Sequence, residues 1–370
     1  MTKSNFLGQH EIQNPHSEIR NRFNPSLLQH APRFSRGQSS SLAADLYNLN
    51  ATAERLPSER DQNFLLTTAS GEKFVLKISN SLEDETLLQA QSDAMMHVGQ
   101  RVSFCQRLVP SVEGRIIERV TSAGDTNLIR LATHLPGVPL GDAQGHSSEM
   151  LRDLGYKLAQ LDVALLDFDR AAIHRDFHWD LANWQTVIGT YSKLISDELL
   201  RGMVMDYAKV FETEVAPVLR RLRTSVIHGD TNDYNILIND EHSEIVGIID
   251  FGDMVHSYIV GDLSIALAYV LLNNDAPLLT ATQVFAGYHQ VLPLNDDEFT
   301  AVWGLMIMRL CMSVCIAAYQ QQQRPDNEYL DISQQAIRSS LPKLLAIDAH
   351  EATNTFREAA WPENSIEDGK

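Results

Sequence analysis

One stretch, Ser225 to Leu271, limits what this chain can fold into more than any other: SVIHGDTNDYNILINDEHSEIVGIIDFGDMVHSYIVGDLSIALAYVL. It sets His228, Asp230 and Asn235 in the pattern H-x-D-x-x-x-x-N, and Asp250 follows twenty residues after Asp230, within IIDFG. ILI and EIVGIID read as two short strands joined by a polar turn, Asn239 to Ser243, which returns Asp250 to the side of Asn235. Two carboxylates and one carboxamide on a loop and hairpin suit Mg²⁺, which prefers hard oxygen ligands, next to a hydroxyl group.

The remainder is long enough to support such a site. At 370 residues the chain can build two lobes with sizeable cores, and 44% apolar with 21% charged residues is ordinary for a globular protein. The net charge of −18 repels phosphate backbones, which argues against nucleic-acid binding and favours a small cationic substrate. A nucleotide would then need a local cation and Mg²⁺. Cys105, Cys311 and Cys315 form no disulfide framework and read as buried free thiols in a reducing cytoplasm. No signal peptide opens the chain, and the apolar run Leu305 to Tyr319 is short and interrupted by Arg309, so a core helix is expected and no membrane association.

H-x-D-x-x-x-x-N followed by D-F-G resembles the wording of protein kinases, and that resemblance implies an α+β, bilobal protein-kinase-like fold, with a small antiparallel-sheet N-lobe and a mostly helical C-lobe. Residues 1–37 read as an irregular, mobile leader, 38–132 as the N-lobe, 133–137 as a hinge and 138–370 as the C-lobe. Ser40 or Ser41 is expected to cap a first helix, SLAADLYNL. Strands ATAERL, NFLLTT and FVLKIS follow. Alternation turns Lys77 away from Leu76 and Ile78, where it is either a surface lysine or the cation for a nucleotide's α/β-phosphates. The turn Pro57 to Asn63 would cover the phosphates without a glycine motif, through backbone amides and Ser58. Ser81 and Asp84 suggest a capping box for the next helix, which turns Leu87, Leu88, Gln91, Met95 and Val98 to a core. Glu83, Glu85 and Gln89 compete as the partner of Lys77. Thr133 to Gly137, with the main chain of Thr133 and Leu135, is expected to meet the purine.

Ser147 to Leu166 reads as an amphipathic helix, and residues 205–223 as another. Between them lies His174-Arg175-Asp176, the triplet that protein kinases use, but Leu181 stands where an Asn is required, so catalysis is not assigned there. Trp179 and Asp180 read either as core residues or as a wall facing a substrate amine.

At the central stretch, Asp230 is the candidate base and Asn235 and Asp250 the Mg²⁺ ligands. His228 belongs to the catalytic group, more as a brace for the loop than as a proton shuttle. Asp233 is a candidate for a substrate ammonium, Asp253 for the metal or a substrate amine, and Asp262 for a helix cap that anchors the loop.

HGDTNDYNILI, IIDFGDM and GDLSIALAY together resemble the aminoglycoside phosphotransferase/choline kinase superfamily. PSERDQNF, GEKFVLKISN, THLPG, RDFHWDL and NEYLDIS make the chain more similar to the hydroxylysine kinase-like branch, over roughly residues 40 to 345. The resemblance implies transfer of a γ-phosphoryl group from a Mg²⁺-bound ATP or GTP to the hydroxyl of a small amino alcohol or hydroxy amino acid such as hydroxylysine. By matching motif it gives Asp230 as base, Asn235 and Asp250 as metal ligands and Lys77 as the phosphate lysine. Other acceptors (homoserine, choline, an aminoglycoside) stay open, as does a homodimer. A protein kinase is disfavoured because no activation-loop stretch follows Asp250. A pseudokinase would have lost one of Lys77, Asp230, Asn235 or Asp250, and all four are present.

Overall fold

The computed structural model describes residues 31–58, 61–122, 124–143, 145–323 and 333–360. Most of the leader, Glu59 and Arg60 of the phosphate-side turn, and nearly all of NEYLDIS lie outside the described residues. Helix α1 (Arg36–Tyr47) starts earlier than expected. Ser35, not Ser40 or Ser41, caps it, because Gln38 sits three residues on and completes a reciprocal capping box.

Six antiparallel strands form the N-terminal sheet: β1 (Ala51–Leu56), β2 (Gln62–Thr68), β3 (Lys73–Ile78), β4 (Leu108–Val109), β5 (Glu118–Ser122) and β6 (Asp125–Thr133). They run in the order β1-β2-β3-β6-β4, with β5 also on β6. Period-two alternation sends Phe64, Leu66, Leu76, Ile78, Ile129 and Leu131 into a small core under α1. The opposite face carries a cross-strand row, Asn63, Lys77 and Arg130. Helix α2 (Glu85–Gly99) is capped by Asp84, whose carboxylate accepts from the Thr86 amide; the expected Ser81 cap is not used. All five residues assigned to its core face are buried. Leu87, Met95 and Val98 join the larger C-terminal core rather than the core beneath the sheet.

That larger core gathers α3 (Ser148–Leu165), α4 (Trp184–Tyr191), α5 (Glu198–Glu214), α6 (Val260–Val270), α7 (Pro277–Val291), α8 (Asp296–Gln323), α9 (Gln334–Leu345) and α10 (Ala349–Ala360). Ser147 caps α3 as its pattern suggests. The helix expected over 205–223 is shifted: α5 ends at Glu214, and one short turn, Ala216–Leu219, precedes the strand, because Pro217 cannot continue the hydrogen-bond ladder. Helix α8 is long and apolar enough to cross a membrane, but 89% of its most apolar window is buried inside the protein. Cys105, Cys311 and Cys315 are buried free thiols.

Five short strands also pack on the larger core: β7 (Val138–Pro139), β8 (Thr224–Ile227), β9 (Ile236–Ile238), β10 (Ile245–Ile248) and β11 (Val255–Tyr258). They pair as β10-β9-β7 and β11-β8. After Asp250 the chain makes one 3₁₀ turn, then β11, then enters α6, which leaves no long loop.

Candidate active site

The β9–β10 hairpin forms as its sequence suggests. The Asn239 side-chain oxygen accepts from the Ser243 and Glu244 amides and closes the turn. The pairing ends with the Ile249 amide donating to the Asn235 carbonyl at 2.9 Å, which brings Asp250 beside Asn235. Asp250 itself sits in the left-handed region, at φ 66° and ψ 74°. A non-glycine residue there stores strain of about 1–3 kcal/mol, held by its surroundings. Two donors grip the turn that follows: Gln91 Nε2 and an Arg175 nitrogen both donate to the Gly252 carbonyl, at 2.8 and 3.2 Å.

The loop before β9 is anchored from α6. The Asp262 carboxylate accepts from the His228 and Gly229 amides, each at 2.8 Å, and the Thr231 hydroxyl donates to the Asp262 carbonyl at 2.7 Å. Asp262 thus anchors the loop, but it lies inside the first turn of α6 and is not its cap. His228 is fully buried; its Nδ1 accepts from the Asp230 amide and its Nε2 meets the Ile249 carbonyl at 3.0 Å. Burial lowers its pKa, so the neutral ring ties the loop to the hairpin. It has the geometry of a brace, not of a proton carrier.

Asp230 is held by three side chains. Asn232 and Arg309 donate to its Oδ1 at 3.0 and 3.1 Å, and Asn235 Nδ2 donates to its Oδ2 at 2.8 Å. Burial pushes its pKa up to about 7, and the Asp253 charge adds to this against the pull of Arg309. Asp250 is moved the other way, to about 2, because Lys77 donates to its Oδ1 at 2.9 Å. Lys77 therefore pairs with Asp250 and with none of Glu83, Glu85 and Gln89. Glu85 pairs with Arg119, Gln89 donates to Asp93, and the charge of Glu83 bears on Arg130. Helix α2 begins only at Glu85, and the residue it presents to the Asp250 turn is Gln91.

These groups share one cavity of about 320 Å³. Ser58 and Lys77 line its sheet side. Asp230, Asn235 and Asp250 also line it, as do Trp179, Asp233 and Asp253. Burial raises the Asp233 carboxyl to about 6. Asp180 is not part of this wall. It is buried, its carboxylate accepts from the Ser257 hydroxyl at 2.5 Å and from the Ala182 amide, and it serves the local turn. Trp179 does face the cavity, yet the Arg309 guanidinium lies 4.4 Å from its ring centre and takes a face expected for a substrate amine. Thr133 is also committed: its amide donates to Arg107, and its carbonyl accepts from Gln106. Its main chain has no free edge for a purine. Leu135, two residues on, makes no main-chain hydrogen bond among the described residues. Arg309 was read from the sequence only as an interruption of an apolar run, and a lone arginine within such a run was the available signal.

The donor set fits a hard divalent cation. Asn235 spends its amide nitrogen on the carbonyl and carboxylate of Asp230, so its oxygen is the atom left to coordinate. Among the described residues no three His, Cys, Asp or Glu side chains are arranged to hold a metal alone. One carboxylate and one amide oxygen, completed by phosphate oxygens, is how Mg²⁺ is commonly held.

Comparison with known proteins gives the family and the fold. Residues 52–298 match the family described as APH, phosphotransferase enzyme family. Hydroxylysine kinase of Danio rerio is 30% identical over 344 residues, covering 89% of this chain and 96% of the relative. Among solved structures, the amicoumacin kinase hAmiN in complex with AMP-PNP, Ca²⁺ and Ami superposes with a TM-score of 0.64 at 17% identity, covering 86% of this chain and 97% of the other. A microcompartment-associated aminopropanol kinase gives 0.62 at 15% identity, covering 87% and 98%. The fold is the bilobal, protein-kinase-like α+β arrangement of these kinases.

Proposed function

This chain belongs to the phosphotransferase enzyme family, and from that premise we propose that it moves the γ-phosphoryl group of Mg²⁺-bound ATP or GTP to the hydroxyl of a small cationic acceptor, a hydroxy amino acid of the hydroxylysine type. That it is a phosphotransferase acting on alcohol groups of small molecules follows from the family and from the hydroxylysine kinases it resembles over most of its length. The observation that carries the finer reading is the single cavity shared by Lys77, Asp250, Asn235 and Asp230, with two further carboxylates, Asp233 and Asp253, in its lining.

Phosphoryl transfer needs positioning and charge neutralisation more than covalent help from the protein. Asp230 takes the proton of the acceptor hydroxyl; a carboxylate raised toward neutrality is well matched to that task. Lys77 turns from Asp250 to the phosphates of the donor. Asn235 and Asp250 hold Mg²⁺, which when bound neutralises charge on the phosphate oxygens. Ser58 and the neighbouring turn close over the phosphates, and the main chain of Leu135 meets the purine. Asp233 and Asp253 attract the acceptor's ammonium, since the cavity holds more carboxylates than cations. Three buried thiols suit the reducing cytoplasm.

A γ-phosphoryl transfer screen tests the reading. ATP and GTP are each offered with hydroxylysine, homoserine, choline, ethanolamine, methylthioribose and an aminoglycoside. The highest kcat/KM is expected with hydroxylysine. Binding of Mg-nucleotide with no turnover of any acceptor would sink the proposal and point to a nucleotide-binding pseudokinase.

A further inference from the structure

From Phe299 to Gln323, helix α8 carries a single charged residue, Arg309. Its side chain is only 2% exposed. A lone cation in an apolar helix costs several kcal/mol unless it is paired, so its partners show what it is for. One guanidinium nitrogen donates to Asp230 Oδ1 at 3.1 Å, and another donates to the Trp179 carbonyl at 2.9 Å. The planar group also lies over the Trp179 ring. Its Nε, also buried, has no partner. The other two side chains on the Asp230 carboxylate, Asn232 and Asn235, belong to its own loop and would move with it. Arg309 reaches Asp230 from a different element.

We propose that Arg309 is a positioning residue for transfer: its rigid fork sets the Asp230 carboxylate against the Trp179 wall, so that base and acceptor pocket keep one geometry. This rests on the reading of Asp230 as the base. Only arginine offers two separate donors in one plane at this spacing, together with a face for the indole. Lysine could satisfy Asp230 or the Trp179 carbonyl, but not both while covering the ring. The inference gives a role to a residue that lines the cavity from helix α8 and acts through Asp230 and Trp179.

The full-length protein with Mg-ATP and its best acceptor supplies the test. Arg309→Lys keeps the buried charge. It is expected to lower kcat by about 10- to 100-fold, the scale of a misplaced catalytic group. Mg-nucleotide affinity and melting temperature should stay near those of the parent. Arg309→Ala, if it folds, should recover part of its lost kcat on adding guanidinium chloride at millimolar concentration, and none with sodium chloride. A lysine variant turning over at the parental rate overturns the proposal. So does a loss of kcat that runs in step with losses of nucleotide affinity and melting temperature, or a folded alanine variant that guanidinium does not restore. Asp230→Asn is the control: if it retains near-parental kcat, the base assignment itself fails. If it is inactive while the lysine variant is normal, only the role of Arg309 is lost.

Discussion

His-x-Asp occurs three times in this chain, at 174–176, 178–180 and 228–230, and the surroundings of the first and the last divide them. In 174–176 the triplet is His-Arg-Asp, and His174 and Asp176 are exposed. His174 stacks on His256 and pairs with Asp169, while Asp176 accepts from Asn183. In 228–230 the triplet is His-Gly-Asp, anchored by Asp262 from behind and joined to the β9–β10 hairpin in front. Gly229 has φ +78°, and a Cβ there would stand 2.6 Å from the Asp253 carbonyl. An arginine in that place would be strained and would collide, so the triplet spelled with arginine could not occupy this loop. The first segment still serves the last: Arg175 donates to the Met254 and Gly252 carbonyls just beyond Asp250. A motif's letters are a weaker guide than the element that holds it.

The widest gap between the two segments should appear in turnover. Asp230→Ala is expected to lower kcat by about 10²- to 10⁴-fold with Mg-nucleotide binding largely kept. Asp176→Ala, a surface change, should leave kcat near the parental value. Steady-state kinetics on both variants would erase the contrast if the two losses were alike. A smaller effect is expected at Gly229→Ala, which forces a left-handed alanine against a carbonyl. Denaturant unfolding should show a loss of about 1–3 kcal/mol, and kcat should fall with it. An unchanged midpoint would show that the loop relaxes and that the glycine is not required. The mildest is Arg175→Lys, which removes one of two main-chain contacts while keeping the charge. About 0.5–1.5 kcal/mol of stability and a few-fold of kcat should be lost, and a fall as deep as that of Asp230→Ala would move the first segment into the chemistry.

Much of the site is legible in the chain because it is built from local rules. Lys77 faces away from Leu76 and Ile78 by simple alternation, and both of those are fully buried in the sheet core. Asn235 and Asp250 meet because a five-residue polar turn between two short strands can close in few ways. Three other readings turned on hydrogen bonds. Thr133 was expected to face a purine, but Arg107 and Gln106 hold its main chain. Asp180 reads from the sequence either as core packing or as a substrate wall with Trp179, and its burial and the Ser257 hydroxyl on its carboxylate favour the first. The sequence leaves the partner of Lys77 open among Glu83, Glu85 and Gln89, and the carboxylate that it meets lies 173 residues away, at Asp250.

What the sequence determined alone is the inventory of the candidate site: a lysine on a strand, and a carboxylate, a carboxamide and a second carboxylate at spacings that a short loop and hairpin convert directly into geometry. The tertiary structure decided who stands beside whom. Arg309 reaches Asp230 across 79 residues of chain, covers the Trp179 face that an amine was expected to use, and does so from a long helix whose apolar window is 89% buried. The physical reason is that alternation and turn closure act over a few residues and leave a pattern. The pairing of buried donors with acceptors is settled only when distant elements pack and each polar group must find a partner.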